Sequence, residues 1–502
     1  MSTLDSQTAR AVSVPREVLI VCGGHLAILV LWWMKQYWTA RVQFPGPPVK
    51  NAWIGNLDQT MMPDIHDKWR RWHRQYGPIY QTWNSLVSRV IYIGDPAIIH
   101  AIGSENWDKA SSQYEGFRCL SGDALFMPKA HAKWLRQRKS LSPAFGPQVI
   151  RMQQATLHKY ITDFTHQIAT AADQQHSVDL SMLHVLLTLD FVGEIAFGSE
   201  LRALATGPEC RIVQLFQKIL PELMKCGLFP LRSKVPIFQA TREMHGAIQE
   251  LRQMAEDAVL AAREADVAEG SKEKPPRQIF EILVRQKEAN GAYTFNTKDL
   301  VDNYVTFLVA GGDPTAHTLS FAVYEVLRNP KIHARLVHEL REALPRLDGI
   351  PSAEHISKLP YLNAVIKETL RYNGPGFGTF RTCPRDTEVC GVVLPAKTTL
   401  VLWNPQVHRD PQIWGPDADV FDPSRWLEPG FRPLPGSYFP FSHGPRVCLG
   451  QGLAMFEISL TLATLFRQFD LSLPAGFEME FDPAFTLCPK NGLPVFATRR
   501  QT

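Results

Sequence analysis

The sequence predicts a mainly helical fold with small β-sheets, an α+β chain whose sheets gather toward its two ends. Three observations predict it. From about residue 129 to 345 apolar residues recur at helical spacing, as at Leu183, Leu186, Leu187 and Phe191. Short β-type runs lie before and after that stretch, separated by turn residues. With 45% hydrophobic and 20% charged residues, the 502-residue chain can bury a sizeable core, which excludes global disorder. That length allows about three domains or one large α-rich unit. Gly and Pro, 32 and 37 residues, stand near ordinary usage and exclude a collagen-like chain. A net charge of +4 without a concentrated basic patch argues against a nucleic-acid partner.

Taken in order, residues 1–17 form an N-terminal tail, and Val18 to Met34 is an apolar run. As a helix of 1.5 Å per residue it approaches the thickness of a bilayer core, roughly 30 Å. Trp32, Trp33, Tyr37 and Trp38 follow where an interfacial belt would stand, so 18–38 is expected to be a membrane anchor. A cleaved signal peptide is the rival, and W-W-M-K-Q-Y-W offers no small-residue cleavage site. Arg10 and Arg16 before it against Lys35, Arg41 and Lys50 after it favour a cytoplasmic body. The run Phe44-Pro-Gly-Pro-Pro48 cannot continue a helix, and residues 39–50 read as a hinge before one domain over 51–502. Ile79 to Ile93 reads as a hairpin about Asn84-Ser85, and the charged stretch Arg263 to Arg277 as an exposed loop. After Pro384 come short strands, a Pro/Gly-rich meander to about 445, a helix from roughly Leu449 to Phe469, and a closing hairpin.

Eight scattered cysteines form no C-x-x-C pair, so neither a structural zinc site nor a disulfide framework is indicated. One of them stands apart. The run Phe441 to Gly450 fits F-x-x-G-x-R-x-C-x-G. Gly444 permits a turn that a Cβ would resist, and Cys448 directly precedes an apolar helix whose N-terminus favours a thiolate. Arg446 can pair with a carboxylate, and Gly450 lets the backbone pass close to a flat cofactor.

With this motif the chain resembles the haem-thiolate monooxygenases, the cytochromes P-450. Further matches follow in family order over about Phe44 to Arg499. Trp134 and Arg138 match W-x-x-x-R, and Arg381 falls where members carry another arginine toward a haem propionate. Glu368 and Arg371 match E-x-x-R, with Arg425 of F-D-P-S-R-W as third partner in a buried structural network. Ala310, Gly311, Asp313 and Thr315 lie in the A/G-G-x-D/E-T-T segment that faces oxygen and delivers protons. Pro314 departs from the pattern, because it stands where the first threonine belongs and carries no hydroxyl and no N–H. Either Thr315, in a distorted helix, or Asp313 with an ordered water is then expected to relay protons.

The resemblance implies a triangular, helix-rich fold around haem b, with the Cys448 thiolate as axial ligand. It also implies electrons from NADPH through NADPH-cytochrome P-450 reductase, with cytochrome b5 a further candidate donor. The setting implied is the endoplasmic reticulum membrane, and the phrasing W-G-P-D-A-D is similar to fungal microsomal members. Substrate contacts are expected from Leu120, Phe126, Phe307, Phe377 and Phe485. Their aromatic character suggests a bulky apolar molecule, such as a terpenoid, polyketide or indolic secondary metabolite. Two alternatives remain: a haem-thiolate isomerase or dehydratase, which Pro314 would suit, and a non-catalytic haem protein.

Overall fold

The structure, a computed structural model, describes residues 16–41, 44–51, 54–60, 65–84, 88–127, 130–268, 278–344 and 350–500. The chain divides into two compact units, Met1–Tyr92 and Ile93–Thr502.

In the first unit the apolar run forms helix α1 (Arg16–Arg41). The helix runs unbroken through Gly23, Gly24 and His25, and among the described residues no helix is long and apolar enough to cross a membrane. On this helix Leu26, Ile28, Leu29, Leu31 and Trp32 are exposed, and the side chains of Val18 to Cys22 of the expected anchor lie outside the described residues. The tail with Arg10, residues 42–43, and the side chains of Tyr37, Trp38 and Arg41 lie outside the described residues. The Pro-rich segment is fastened in place. Its Pro45 carbonyl accepts from the Gln81 N–H at 2.9 Å, and its Pro48 carbonyl from Asn56 Nδ2 at 3.2 Å. A Cβ on Gly46 would stand 2.1 Å from the Gln81 carbonyl oxygen, so only glycine lets the strap lie this close. Strands β1 (Ile79–Trp83) and β2 (Arg89–Ile93) are neighbours, with Tyr80 and Tyr92 stacked at 4.8 Å. Residues 85–87 of the expected hairpin turn lie outside the described residues.

Six helices of the second unit position the site: α2 (His131–Leu141), α3 (Leu180–Phe197), α4 (Gln239–Ala268), α5 (Thr297–Leu327), α6 (Pro360–Tyr372) and α7 (Gln451–Gln468). Asn296 caps α5 by accepting from the Asp299 N–H at 2.7 Å. Helix α5 is buried over most of its length and packs on α3. At that contact a Cβ on Gly311 would meet Val192 at 3.0 Å, and one on Gly312 would meet Leu189 at 3.2 Å. The glycines therefore serve close helix approach in addition to any opening for oxygen. In α7, Leu453, Ile458, Leu462, Leu465 and Phe466 are buried, at about 1.5–3 kcal/mol for each large apolar side chain. The loop expected over Arg263–Arg277 begins later than its charge suggested. Arg263 to Ala268 continue α4, because Arg263 donates to Thr297 Oγ1 at 3.0 Å and to the Phe295 carbonyl. The remainder, 269–277, lies outside the described residues.

Among the described residues nine short strands complete the second unit: β3 (Val178–Asp179), β4 (Gly378–Thr382), β5 (Thr387–Val389), β6 (Val392–Leu394), β7 (Thr399–Trp403), β8 (Phe469–Ser472), β9 (Phe481–Pro483), β10 (Leu487–Pro489) and β11 (Pro494–Arg499). β4 runs antiparallel to β7 with Arg381 opposite Leu400. β5 pairs with β6, and β11 lies between β3 and β8. β3 thus falls inside the stretch expected to be helical. β9 and β10 form the closing hairpin, with Thr486 in its turn.

Candidate active site

The loop before α7 is shaped by glycine. Gly444 has φ +68°, and a Cβ there would stand 2.1 Å from the Gly103 carbonyl oxygen. Gly444→Ala is expected to cost about 1–3 kcal/mol from the backbone alone, with more for the clash. Thermal unfolding and the haem-to-protein ratio of the purified variant measure it. The Cys448 N–H then donates to the Phe441 carbonyl at 2.8 Å, closing the loop. Cys448 is a free thiol that borders an interior cavity of about 400 Å³. Its side chain is accessible from that cavity. Burial pushes the thiol pKa above its ordinary value. The N–H groups of Gly450 and Gln451, and the charges of Arg138 and Lys109, pull the other way. A metal ion at the sulfur would reverse that balance, because a coordinated thiol loses its proton.

Every expected haem contact borders the same cavity: Cys448, Arg446, Trp134, Arg138, Arg381, Phe441 and Gly450. Arg446 donates from Nε to Asn106 Oδ1 at 2.9 Å and from Nη2 to Asp108 Oδ1 at 2.8 Å, and its guanidinium lies 3.9 Å over the Trp134 ring. Its remaining nitrogen, Nη1, is buried without an acceptor among the described residues. Burial and the nearby Arg381 charge bring the Arg446 pKa down to about 10. Burial also lowers those of Arg138 and Arg381. Three desolvated cations and an unfilled N–H at one wall call for an anionic group of several oxygens. With a free sulfur at the same void, the residues fit haem: thiolate to metal, guanidinium to propionate.

Helix α5 brings Ala310, Gly311, Pro314 and Thr315 to the cavity. Pro314 leaves the Ala310 carbonyl without its helical N–H donor, while Thr318 Oγ1 donates to the Pro314 carbonyl at 2.8 Å. The helix stays continuous through the proline. Asp313 is brought close to the site but not onto its wall. Its carboxylate accepts from the hydroxyl of Thr486, which does border the cavity.

The Glu368 carboxylate accepts from Arg371 Nε and Nη2, both at 2.8 Å, and from Arg425 Nε at 3.1 Å. Trp426 Nε1 and the Asp422 N–H, each at 2.9 Å, complete its shell. Arg371 also donates to the carbonyls of His408, Ala418 and Val420. This buried cluster, outside the cavity, joins α6 to the meander that leads to Cys448.

Of the expected substrate contacts, Phe126 and Phe307 border the cavity and Leu120, Phe377 and Phe485 do not. Leu120 is buried in the core, and its carbonyl accepts from Arg252 at 3.1 Å. Phe377 lies parallel to Trp403, leaving the wall to Gly376 and Gly378. Phe485 turns its ring to Phe117 at 5.8 Å, and the next residue, Thr486, takes the cavity position. Tyr114, Leu125, Phe145, Val192, Ile195, Thr486 and Glu457 also line the void. Sequence reading missed them, although the position of Glu457 on the α7 face that carries Leu453 was a usable signal.

Comparison with known proteins agrees with this geometry. The family model for Cytochrome P450 matches residues 45–494. The chain is 27% identical over 492 residues to cytochrome P450 4d2 of Drosophila melanogaster, covering 93% of this chain and 96% of that protein. It is 23% identical over 515 residues to cytochrome P450 734A1 of Arabidopsis thaliana, covering 96% and 95%. With cytochrome P450 monooxygenase sphH of Aspergillus fumigatus it shares 27% over 508 residues, covering 91% and 88%. A cysteine-bearing loop, a cation-lined void and a match over nine-tenths of the length converge: this chain belongs to the cytochrome P450 family and is an oxidoreductase of the monooxygenase type.

Proposed function

We propose that this enzyme inserts one atom of dioxygen into a bulky apolar small molecule, of the size and character of a terpenoid, polyketide or indolic secondary metabolite. Electrons come from NADPH through a partner reductase, with cytochrome b5 as a second donor. The observation that carries the reading is the free Cys448 sulfur facing a void that also holds the unfilled Arg446 Nη1.

Haem, when bound, supplies the activation of dioxygen, and a thiolate ligand favours O–O cleavage. The chain supplies the rest. Cys448 would hold the haem through its sulfur, and Arg446, Arg381, Arg138 and Trp134 would hold its carboxylates. Phe126, Phe145, Phe307, Leu125, Val192 and Ile195 form an apolar wall that binds substrate by burial and excludes water. The exposed apolar side chains of α1 support attachment to a lipid surface, and we assign this to the endoplasmic reticulum with the second unit on the cytoplasmic side.

The test is turnover of a panel of apolar substrates by purified protein with reductase, NADPH and dioxygen. Oxygenated product incorporating one ¹⁸O atom from ¹⁸O₂ is the expected result. Product formed without NADPH or dioxygen would instead identify the isomerase or dehydratase that Pro314 suggests. Haem uptake with no NADPH consumption on any substrate would identify a non-catalytic protein.

A further inference from the structure

Pro314 removes a hydroxyl from α5, yet Asp313 beside it has a hydroxyl partner from elsewhere. Thr486, in the β9–β10 turn, donates its O–H to Asp313 Oδ2. The Thr486 hydroxyl oxygen lies 2.9 Å from His317 Nδ1, and His317 Nε2 lies 3.7 Å from Asp313 Oδ1, one helical turn along α5. Three groups from two elements therefore close on one another. Thr486 and His317 are both buried, and of the three only Thr486 borders the cavity.

The hydrogen bonds fix a direction. With its own hydrogen committed to Asp313, the Thr486 oxygen can only accept from His317, so Nδ1 carries the imidazole proton. Nε2 is then the free base, turned toward a carboxylate that stabilises a second proton there. Burial lowers the His317 pKa and Asp313 raises it; His184 of α3 and Cys488 of β10 are the further titratable groups beside this cluster.

Resting on the monooxygenase reading, we propose that His317, Asp313 and Thr486 form the proton-delivery chain of this site, with the Thr486 hydroxyl as its cavity end in place of the hydroxyl that Pro314 lacks. A proton from solvent water adds to His317 Nε2, beside Asp313. The Nδ1–H bond then breaks as a new O–H bond forms at Thr486, and the original Thr486 proton turns from Asp313 to an acceptor in the cavity. One bond to hydrogen forms for each that breaks; His317 is left neutral with its proton on Nε2, and loss of that proton to water with re-protonation at Nδ1, as Thr486 turns back to Asp313, resets the chain. Asp313 is the positioning residue: it holds Thr486 and steadies the imidazolium.

Thr486→Val keeps the shape and removes the hydroxyl. The expected result is a fall of at least about tenfold in product formed per NADPH, with hydrogen peroxide released instead, in line with the 10²–10⁴ that a positioned proton donor contributes. Thr486→Ser should restore coupling. In the reduced, carbon monoxide-bound holoenzyme, ¹³C-histidine NMR should show the His317 titration displaced in both Thr486→Val and Asp313→Asn. The thiolate-type carbon monoxide spectrum is measured on every variant first; its absence from the unaltered protein counts against the haem-thiolate reading and not against the relay. Should Thr486→Val not fold, His317→Gln carries the same loss of coupling. Unchanged product per NADPH in these variants, an unmoved His317 titration, or loss of coupling in Thr315→Val but not in Thr486→Val overturns the proposal.

Discussion

Cys448→Ala abolishes the red-shifted Soret band of the reduced protein under carbon monoxide, and with it all NADPH-dependent turnover. The expectation is this severe because nothing nearby can replace the sulfur. Among the described residues that line the cavity, Cys448 is the one thiol, and none is a histidine or methionine. The oxygen groups of Tyr114 and Glu457 are poor matches for a site that needs a soft anionic ligand. The fold should tolerate the change, since the loop is held by the Cys448 N–H and by the Gly444 turn, and alanine keeps both. Far-UV circular dichroism should therefore match the parent while the spectrum is lost. A variant that kept the red-shifted band would place the ligand elsewhere.

Glu368→Ala attacks the frame instead of the ligand. The carboxylate is fully buried and takes five donors, two of them from Arg371 and one from Arg425. Removing it leaves the desolvated Arg371 guanidinium without an anion and Arg425 with only the half-exposed Asp417, a loss of about 3–5 kcal/mol. Against a total stability of about 5–15 kcal/mol, such a loss decides whether folded protein accumulates. For a chain of this size it corresponds to a drop of about 3–5 °C in unfolding temperature. Calorimetry and soluble yield measure it. Glu368→Gln keeps acceptor oxygen and removes charge, so it should fall between the parent and Glu368→Ala. A drop of about 1 °C or less, on the order of a surface pair, would mean the cluster is relieved by solvent. Haem loss should accompany unfolding, because the strand of chain that Arg371 and Arg425 grip through Asp417, Ala418 and Val420 leads on to the Cys448 loop.

The two kinds of prediction differ in how far the amino-acid order alone makes them legible. Residues whose roles come from local backbone constraint are readable as letters. Gly444 has to adopt a positive φ against Gly103, and Cys448 has to precede a helix, so motif and geometry coincide. Trp134 and Arg138 share a helix face by spacing alone, and both reach the void. The substrate wall is readable only in part. Phe126 and Phe307 line it, whereas Phe377 and Phe485 turn to Trp403 and Phe117, because an aromatic side chain in a loop takes whichever apolar surface is nearest. Composition also misleads in one segment, where charge in Arg263–Ala268 coats a helix that continues.

From the sequence by itself came the helical middle, the flanking small sheets, the cysteine-bearing loop, the Glu368–Arg371–Arg425 trio and the departure at Pro314. The first three follow from periodicity and turn chemistry; the trio and the departure at Pro314 follow from the resemblance to the family. The tertiary structure alone decided which side chains meet across the chain: that Arg446 keeps one N–H unfilled at the void, and that Thr486 reaches Asp313 across 173 positions. The physical reason is that a hydrogen bond depends on distances of about 3 Å between elements, and no local rule of backbone or periodicity encodes where a remote turn will come to rest.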